Sequence, residues 1–376
     1  MLGIPSHIFD QIDKDNLRFN TQTPADFTTP TYNPETYTAD LTKHRYFEAL
    51  VVLRHYIQQM SHHYFANERS AKNVDLFMLT PSVSSPMGPG SDSEAITVEF
   101  GGLTTNLVDS SQFGFEPLLF QSSGLVYCYL PSMRGEDPDA RHLNQFYHCE
   151  CELVGALEDA MGIAEEYVRR LCSVTLATHA VLNIVSNDAK ASAKTLKSVI
   201  AMSQFPRITF DQAVDILLAD ENTREFVRMT PHGRDITAQG EAALGSKLGF
   251  ATPFWITHFD RDRVPFYQKP SPNNANKVEN ADLIFPALTP AAFGGEVIGC
   301  GQRQDTSEEI LESLRRQDDI SPEYYRWYID LRSLPGYRPT AGFGLGIERF
   351  LTWVLAKPHI RDVSLYPRLK GVRTYP

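Results

Sequence analysis

The stretch SMRGEDPDARHLNQF carries two guanidiniums (Arg134, Arg141), a carboxylate (Glu136), an imidazole (His142) and an aromatic ring (Phe146). Arginine forks grip phosphate oxygens and an aromatic face stacks a base, so these groups on one hairpin suit a nucleotide. A solvated hairpin laced with surface ion pairs is the alternative. Farther on, ENADLIFP supplies Asp282, and GGEVIGCGQRQ supplies Glu296 and Arg303. Carboxylates on neighbouring strands are hard oxygen ligands of the kind Mg²⁺ takes when it also holds a nucleotide's phosphates. The glycines there let a substrate approach the backbone closely. The alternative for this piece is a barrel-like bend with a buried ion pair. A third stretch, GFGLGIERF, runs alternate glycines into Arg349. A dinucleotide fingerprint needs G-x-G-x-x-G early in a βαβ unit, whereas the spacing here is G-x-G-x-G near the C-terminus.

These groups need a scaffold to bring them together. AITVEF, GLVYCYLPSMRGE and QFYHCECELVG alternate polar and apolar residues, as antiparallel strands with one covered face do. In the last of them Cys149 and Cys151 share a face without zinc-ligand spacing, so they read as core. LTKHRYFEALVVLRHYIQQM places Phe47, Leu50, Val51, Leu53, Tyr56, Ile57 and Met60 at helical spacing. Further helices are expected at 152–172, 190–202, 211–219, 239–248, 306–317, 321–330 and 346–355. VDLFMLTPSV reads as a strand ending at Pro81, SSPMGPGSDS as a loop, and SPNNANK as a flexible loop over the site. Residues 20–40 are rich in Thr and Pro and show no apolar period, so residues 1–40 read as an arm or linker and the folded body starts near Leu41. Strands and helices mix without a βαβα rhythm. The expected class is α+β, an antiparallel sheet flanked by helices.

A chain of 376 residues, 42% apolar, can bury a substantial core as one large domain or two modest ones. No run of apolar residues is long enough to span a bilayer and no secretory leader is visible. The five cysteines lack C-x-x-C spacing, which fits reduced thiols and a cytoplasmic location without membrane attachment. A net charge of -11 argues against a broad basic face for nucleic acid, though not against a local basic patch.

Taken in order, the Pro-terminated strand, the R-G-E…RHL…F hairpin, the G-E-V-I-G…Q-R strand and the G-F-G-L-G-I-E-R turn resemble the class II aminoacyl-tRNA synthetases. The branch is the aspartyl/asparaginyl one, and the resemblance is closest to asparaginyl-tRNA synthetase catalytic domains. It runs from about 41 to 370 and implies a catalytic domain over 41–376, with an insertion around 287–293. By it, Pro81 closes a dimer-interface segment, so a homodimer is implied. Arg134 would contact the α-phosphate, Glu136 the adenine end or the acceptor, Arg141 and His142 the outer phosphates, and Arg349 the γ-phosphate. Phe146 would stack on adenine, and Asp282 and Glu296 would hold Mg²⁺. Arg134, Arg349 and Glu296 would carry the catalysis of adenylation.

VDSSQFGFE resembles the family's S-x-Q-x-x-x-E stretch. Gln112 would hold the substrate's α-amino end, Arg303 its side-chain oxygen, and Glu116 would favour an amide over a carboxylate. An arginine balanced by a glutamate suits neutral asparagine, whereas a lone arginine welcomes aspartate. Thr340 stands where the family has a pocket-lining histidine, Cys300 where it has glycine, and Gln145 where it has glutamate. The family's anticodon-binding barrel has no counterpart in the 40-residue arm. The resemblance therefore implies an ATP- and Mg²⁺-dependent ligase that adenylates asparagine or aspartate. It is expected to pass the aminoacyl group to a small amine, ammonia included, forming an amide, in preference to tRNA. A minimal asparaginyl-tRNA synthetase charging tRNA, and a non-catalytic nucleotide-binding pseudo-synthetase, are the alternatives.

Overall fold

Period-two alternation in QFYHCECELV assigns Phe146, His148, Glu150 and Glu152 to one face of a strand and Cys149, Cys151 and Leu153 to the other. The computed structural model, which describes residues 3–84, 93–121, 124–317 and 320–375, realises that division at the centre of an eight-stranded sheet. Its strands are β1 (Lys72–Asn73), β2 (Leu125–Met133), β3 (Gln145–Val154), β4 (Arg207–Thr209), β5 (Phe254–Thr257), β6 (Asn280–Phe285), β7 (Gly295–Gln302) and β8 (Thr340–Gly346). They lie in the order β1-β2-β3-β8-β7-β6-β5-β4. All pairs are antiparallel except the outermost ones, β1 with β2 and β4 with β5. The α+β expectation holds.

One face of the sheet is covered by helices. Cys149, Cys151, Leu153, Ala341, Phe343 and Leu345 are buried there against α2 (Arg45–His62) and α4 (Leu157–Ala177), whose apolar stripes meet the sheet. All five cysteines are buried and unpaired. The other face carries the acids and glycines and remains open.

The residues read as an arm are part of this core. Helix α1 (Ser6–Phe19) buries Ile8, Ile12 and Phe19 in the main cluster, joined by Phe27 and Tyr37. Asn16 ties it to α5 (His179–Val185): its Nδ2 donates to the Ala177 carbonyl at 2.9 Å and its Oδ1 accepts from the Ala180 N–H at 3.1 Å. The folded body thus starts well before Leu41. The spacing of Ile8, Ile12 and Phe19 is helical, but charged residues between them dilute it.

Other boundaries shift for local reasons. The helix expected from 152 starts at Leu157, because β3 runs on to Val154 and Asp159 then accepts from the Ala156 N–H at 2.9 Å. The segment 321–330 divides into a 3₁₀ turn, Pro322–Tyr325, and a short helix, Arg326–Asp330. Of VDLFMLTPSV only Leu79–Thr80 pairs as a strand. The loop read in SSPMGPGSDS falls mostly on 85–92, outside the described residues. SPNNANK forms a paired hairpin, Pro270–Ser271 with Asn274–Val278, and none of it lines the cavity described below.

Candidate active site

Directly paired residues share a face, so the register of the sheet fixes the floor of the site. One row reads Asn280, Gly301, Gly342, Glu152; the next reads Asp282, Gly299, Gly344, Glu150. Successive rows on one face lie about 7 Å apart. The alternate glycines of GFGLG therefore all face the site, while Phe343 and Leu345 face the helices. Their φ values are ordinary, so space is what they provide. A Cβ at Gly342 would collide with the Glu152 carboxylate and the Cys151 carbonyl, and one at Gly301 with the Gln268 carboxamide.

Alternation alone would turn Glu296 towards the helices with Ile298. A bulge intervenes: Leu283 pairs with Ile298 and Ile284 with Glu296, leaving Val297 over. That extra residue re-aims Glu296 onto the face of Asp282.

A cavity of about 560 Å³ stands on this floor. Arg134, Glu136, Arg141, His142, Phe146 and Arg349 all line it, as do Asp282 and Glu296. Asn144 Nδ2 donates to the carbonyls of Arg134 and Glu136 at 2.8 and 2.7 Å, which shapes the hairpin. The Arg134 guanidinium lies 5.4 Å from the Phe146 ring centre, and its buried Nε has no partner among the described residues. Arg349 Nη1 donates to the Glu296 carboxylate at 3.1 Å and to its carbonyl at 3.2 Å. Arg141 donates to Glu241 of helix α6 (Ala238–Leu248) at 2.9 Å. His142 pairs with Asp139, and burial followed by Arg349 lowers its pKa.

Carboxylates crowd the middle of the floor. Burial, then Glu296 and Glu241, raise the Asp282 pKa well above the usual range. For Glu296 burial acts the same way, but Arg349, Arg141 and Arg134 outweigh it and the pKa falls. Like charges held this close call for a cation. Among the described residues no three His, Cys, Asp or Glu side chains form a cage by themselves. Mg²⁺ is ordinarily held by one or two carboxylates together with substrate phosphates, and Asp282 with Glu296 fits that pattern.

The other end of the cavity is built around Arg303. Its Nε and an Nη donate to the two oxygens of Glu152 at 3.0 and 2.7 Å, and an Nη donates to Gln112 Oε1 at 2.6 Å. Gln112, at the start of helix α3 (Gln112–Leu119), is fixed in turn by donating to the Phe343 carbonyl at 3.0 Å. Burial pushes the Glu152 carboxyl up to about 7, against the pull of Arg303. Glu150 accepts from Ser110 at 2.5 Å and from the Ser111 N–H at 2.8 Å.

Glu116 and Thr340, read from sequence as pocket residues, do not line the cavity. Glu116 is buried behind it, accepting from Tyr328 and paired with Arg332 at 2.9 Å. Both acids are glutamates near Gln112 in space or sequence, but only Glu152 stands opposite Gly342, where a side chain reaches Arg303. Sequence reasoning also passed over Glu150, Glu241 and Gln268, which line the cavity. The alternation of HCECE carried a signal for the first: if its thiols face the core, its acids face the site. Glu241 and Gln268 carried none, since one sits on a helix and the other in an irregular segment.

The family model described as tRNA synthetases class II (D, K and N) matches residues 33–370. Asparagine–tRNA ligase from Thermococcus kodakarensis is 35% identical over 274 residues, 72% of this chain and 58% of the relative. The counterpart from Koribacter versatilis is 29% identical over 87% of this chain and 70% of its own length. The chain thus spans less than two thirds of the first of these relatives. Among solved structures, Pyrococcus horikoshii asparaginyl-tRNA synthetase complexed with asparaginyl-adenylate superposes with a TM-score of 0.78 at 28% identity, covering 92% of this chain and 74% of that one.

Proposed function

The chain belongs to the class II tRNA synthetases of the D, K and N group, and on that premise we propose that it activates asparagine with ATP and transfers the asparaginyl group to tRNA. The observation that carries the reading is one cavity with Arg134 and Arg349 at one end and Arg303 at the other, the latter charge-balanced by Glu152 buried behind the lining. A triphosphate suits the first end. A neutral carboxamide suits the second, because the guanidinium can donate to its oxygen while Glu152 cancels the charge that would favour aspartate.

In the first step the asparagine carboxylate attacks the α-phosphorus, forming the mixed anhydride and releasing pyrophosphate. Arg134 and Arg349 stabilise charge on the transferring group, and the sheet holds both substrates in line. Mg²⁺ bound at Asp282 and Glu296 would neutralise phosphate charge. In the second step an acceptor hydroxyl attacks the acyl carbonyl and AMP leaves. No enzyme nucleophile is needed, and the one thiol in the lining, Cys300, is held protonated by burial.

The small-amine acceptor expected from sequence draws no support from the comparisons, whose relatives are tRNA ligases by name. Exchange of labelled pyrophosphate into ATP, run with each amino acid, tests the first step: exchange with asparagine is expected. Labelled asparagine entering total tRNA tests the second. Exchange without charging would reject tRNA as acceptor; no exchange would reject the whole reading.

A further inference from the structure

At the amino-acid end, nearly every polar atom is already committed. Both Glu152 oxygens are taken by Arg303, Gln112 accepts from Arg303 and donates to Phe343, and Glu150 is held by Ser110 and Ser111. Among the described residues that line the cavity, one buried side-chain acceptor has no partner. Gln268 is nine-tenths buried and lines the cavity, and its Oε1 has no hydrogen-bond partner among the described residues. Its carboxamide occupies the space above Gly301, and Gln268 bridges to Arg303 through the backbone. It therefore stands over the same row as Glu152, whose carboxylate holds the Arg303 guanidinium. A buried carbonyl oxygen without a donor is costly, so its retention calls for a donor supplied by a ligand.

We propose that Gln268 is a specificity-determining residue that accepts a hydrogen bond from the side-chain N–H of a carboxamide amino acid whose carbonyl oxygen is bound by Arg303. The inference rests on the proposed activation of asparagine. A carboxamide presents one acceptor oxygen and one donor nitrogen, and the pair Arg303 and Gln268 presents their complements. A carboxylate offers no donor, so aspartate would leave Gln268 Oε1 unsatisfied in the orientation its carboxamide takes above Gly301 and would face its lone pairs. Discrimination then comes from two sources: charge balance at Glu152 and donor recognition at Gln268.

Pyrophosphate exchange with the wild-type enzyme separates this inference from its premise. Exchange with asparagine establishes the premise; its absence removes both. Given exchange, 4-oxonorvaline, which keeps the side-chain carbonyl and replaces the amide nitrogen by a methyl group, is expected to be about 100-fold poorer in kcat/KM than asparagine. Equal use of the two overturns the role of Gln268 without touching the premise. Gln268→Met, similar in volume and adaptable in shape, is expected to raise the KM for asparagine about 10- to 100-fold. The KM for ATP should stay within about twofold, and the preference over 4-oxonorvaline should be lost. A Met variant that retains that preference overturns the proposal as well.

Discussion

The two ends of the cavity are built on opposite electrostatic plans. At the phosphate end, Arg134 Nε has no partner among the described residues, Arg349 holds a partly accessible carboxylate, and Asp282 and Glu296 repel one another. Its charges are unbalanced until a highly charged ligand arrives. At the amino-acid end, Arg303 is locked between Glu152 and Gln112, and the side chains are almost wholly buried. That end is neutralised in advance. An exposed charged site can draw on its ligand's charge, whereas a buried one must be paired beforehand, since an unpaired buried ion is costly.

The comparison can be broken most forcefully at the phosphate end. Arg349→Ala is expected to lower kcat/KM for pyrophosphate exchange about 10³-fold while leaving the melting temperature nearly unchanged, because among the described residues Arg349 hydrogen-bonds to Glu296 alone. A variant that keeps full exchange would remove that end from catalysis. At the other end, Glu152→Gln leaves Arg303 uncompensated, and the asparagine-to-aspartate ratio of kcat/KM should fall about 100-fold. An unchanged ratio would mean that Glu152 serves the fold alone.

Glycines sharpen the contrast. Gly342→Ala collides with Glu152 and backbone, and should cost about 2 kcal/mol of stability, whereas Gly344→Ala meets Glu150 at an ordinary 3.4 Å and should cost under about 1. Denaturant midpoints of the two variants check this, and equal losses would show that the tight packing is not confined to the Glu152 row. The smallest effect is a pH dependence. With its carboxyl raised to about 7, Glu152 is ionised above that value and neutral below it. As pH falls from 8 to 6 the compensation of Arg303 is lost, so selectivity for asparagine over aspartate should decline by up to about tenfold. A flat ratio would place the Glu152 titration outside this range. The same sign governs stability: raised in the folded state, this group destabilises as pH rises from the ordinary carboxyl range towards 7.

Much of this was legible in the chain. The strands β2 and β3 follow from alternation alone, and the nucleotide-end residues fall into short motifs because a hairpin and a strand-to-helix turn bring near neighbours together. Where the reading erred, long-range packing decided. Glu116 lies four residues from Gln112 and matched a motif, yet the partner of Arg303 is Glu152, 151 positions away. Helix α1 looked like an arm because its apolar residues are few. Their burial depends on a groove that forms only when α2 and α5 are in place.

The sequence by itself determined which residues could share a face, since period and hydrophobicity are local properties of a strand or helix. The tertiary structure decided which faces meet. It chose Glu152 over Glu116, turned Glu296 inward through one unpaired residue in β7, and set Gln268 above a bare glycine. Those outcomes depend on register and on filled volume, and neither exists until distant strands lie side by side.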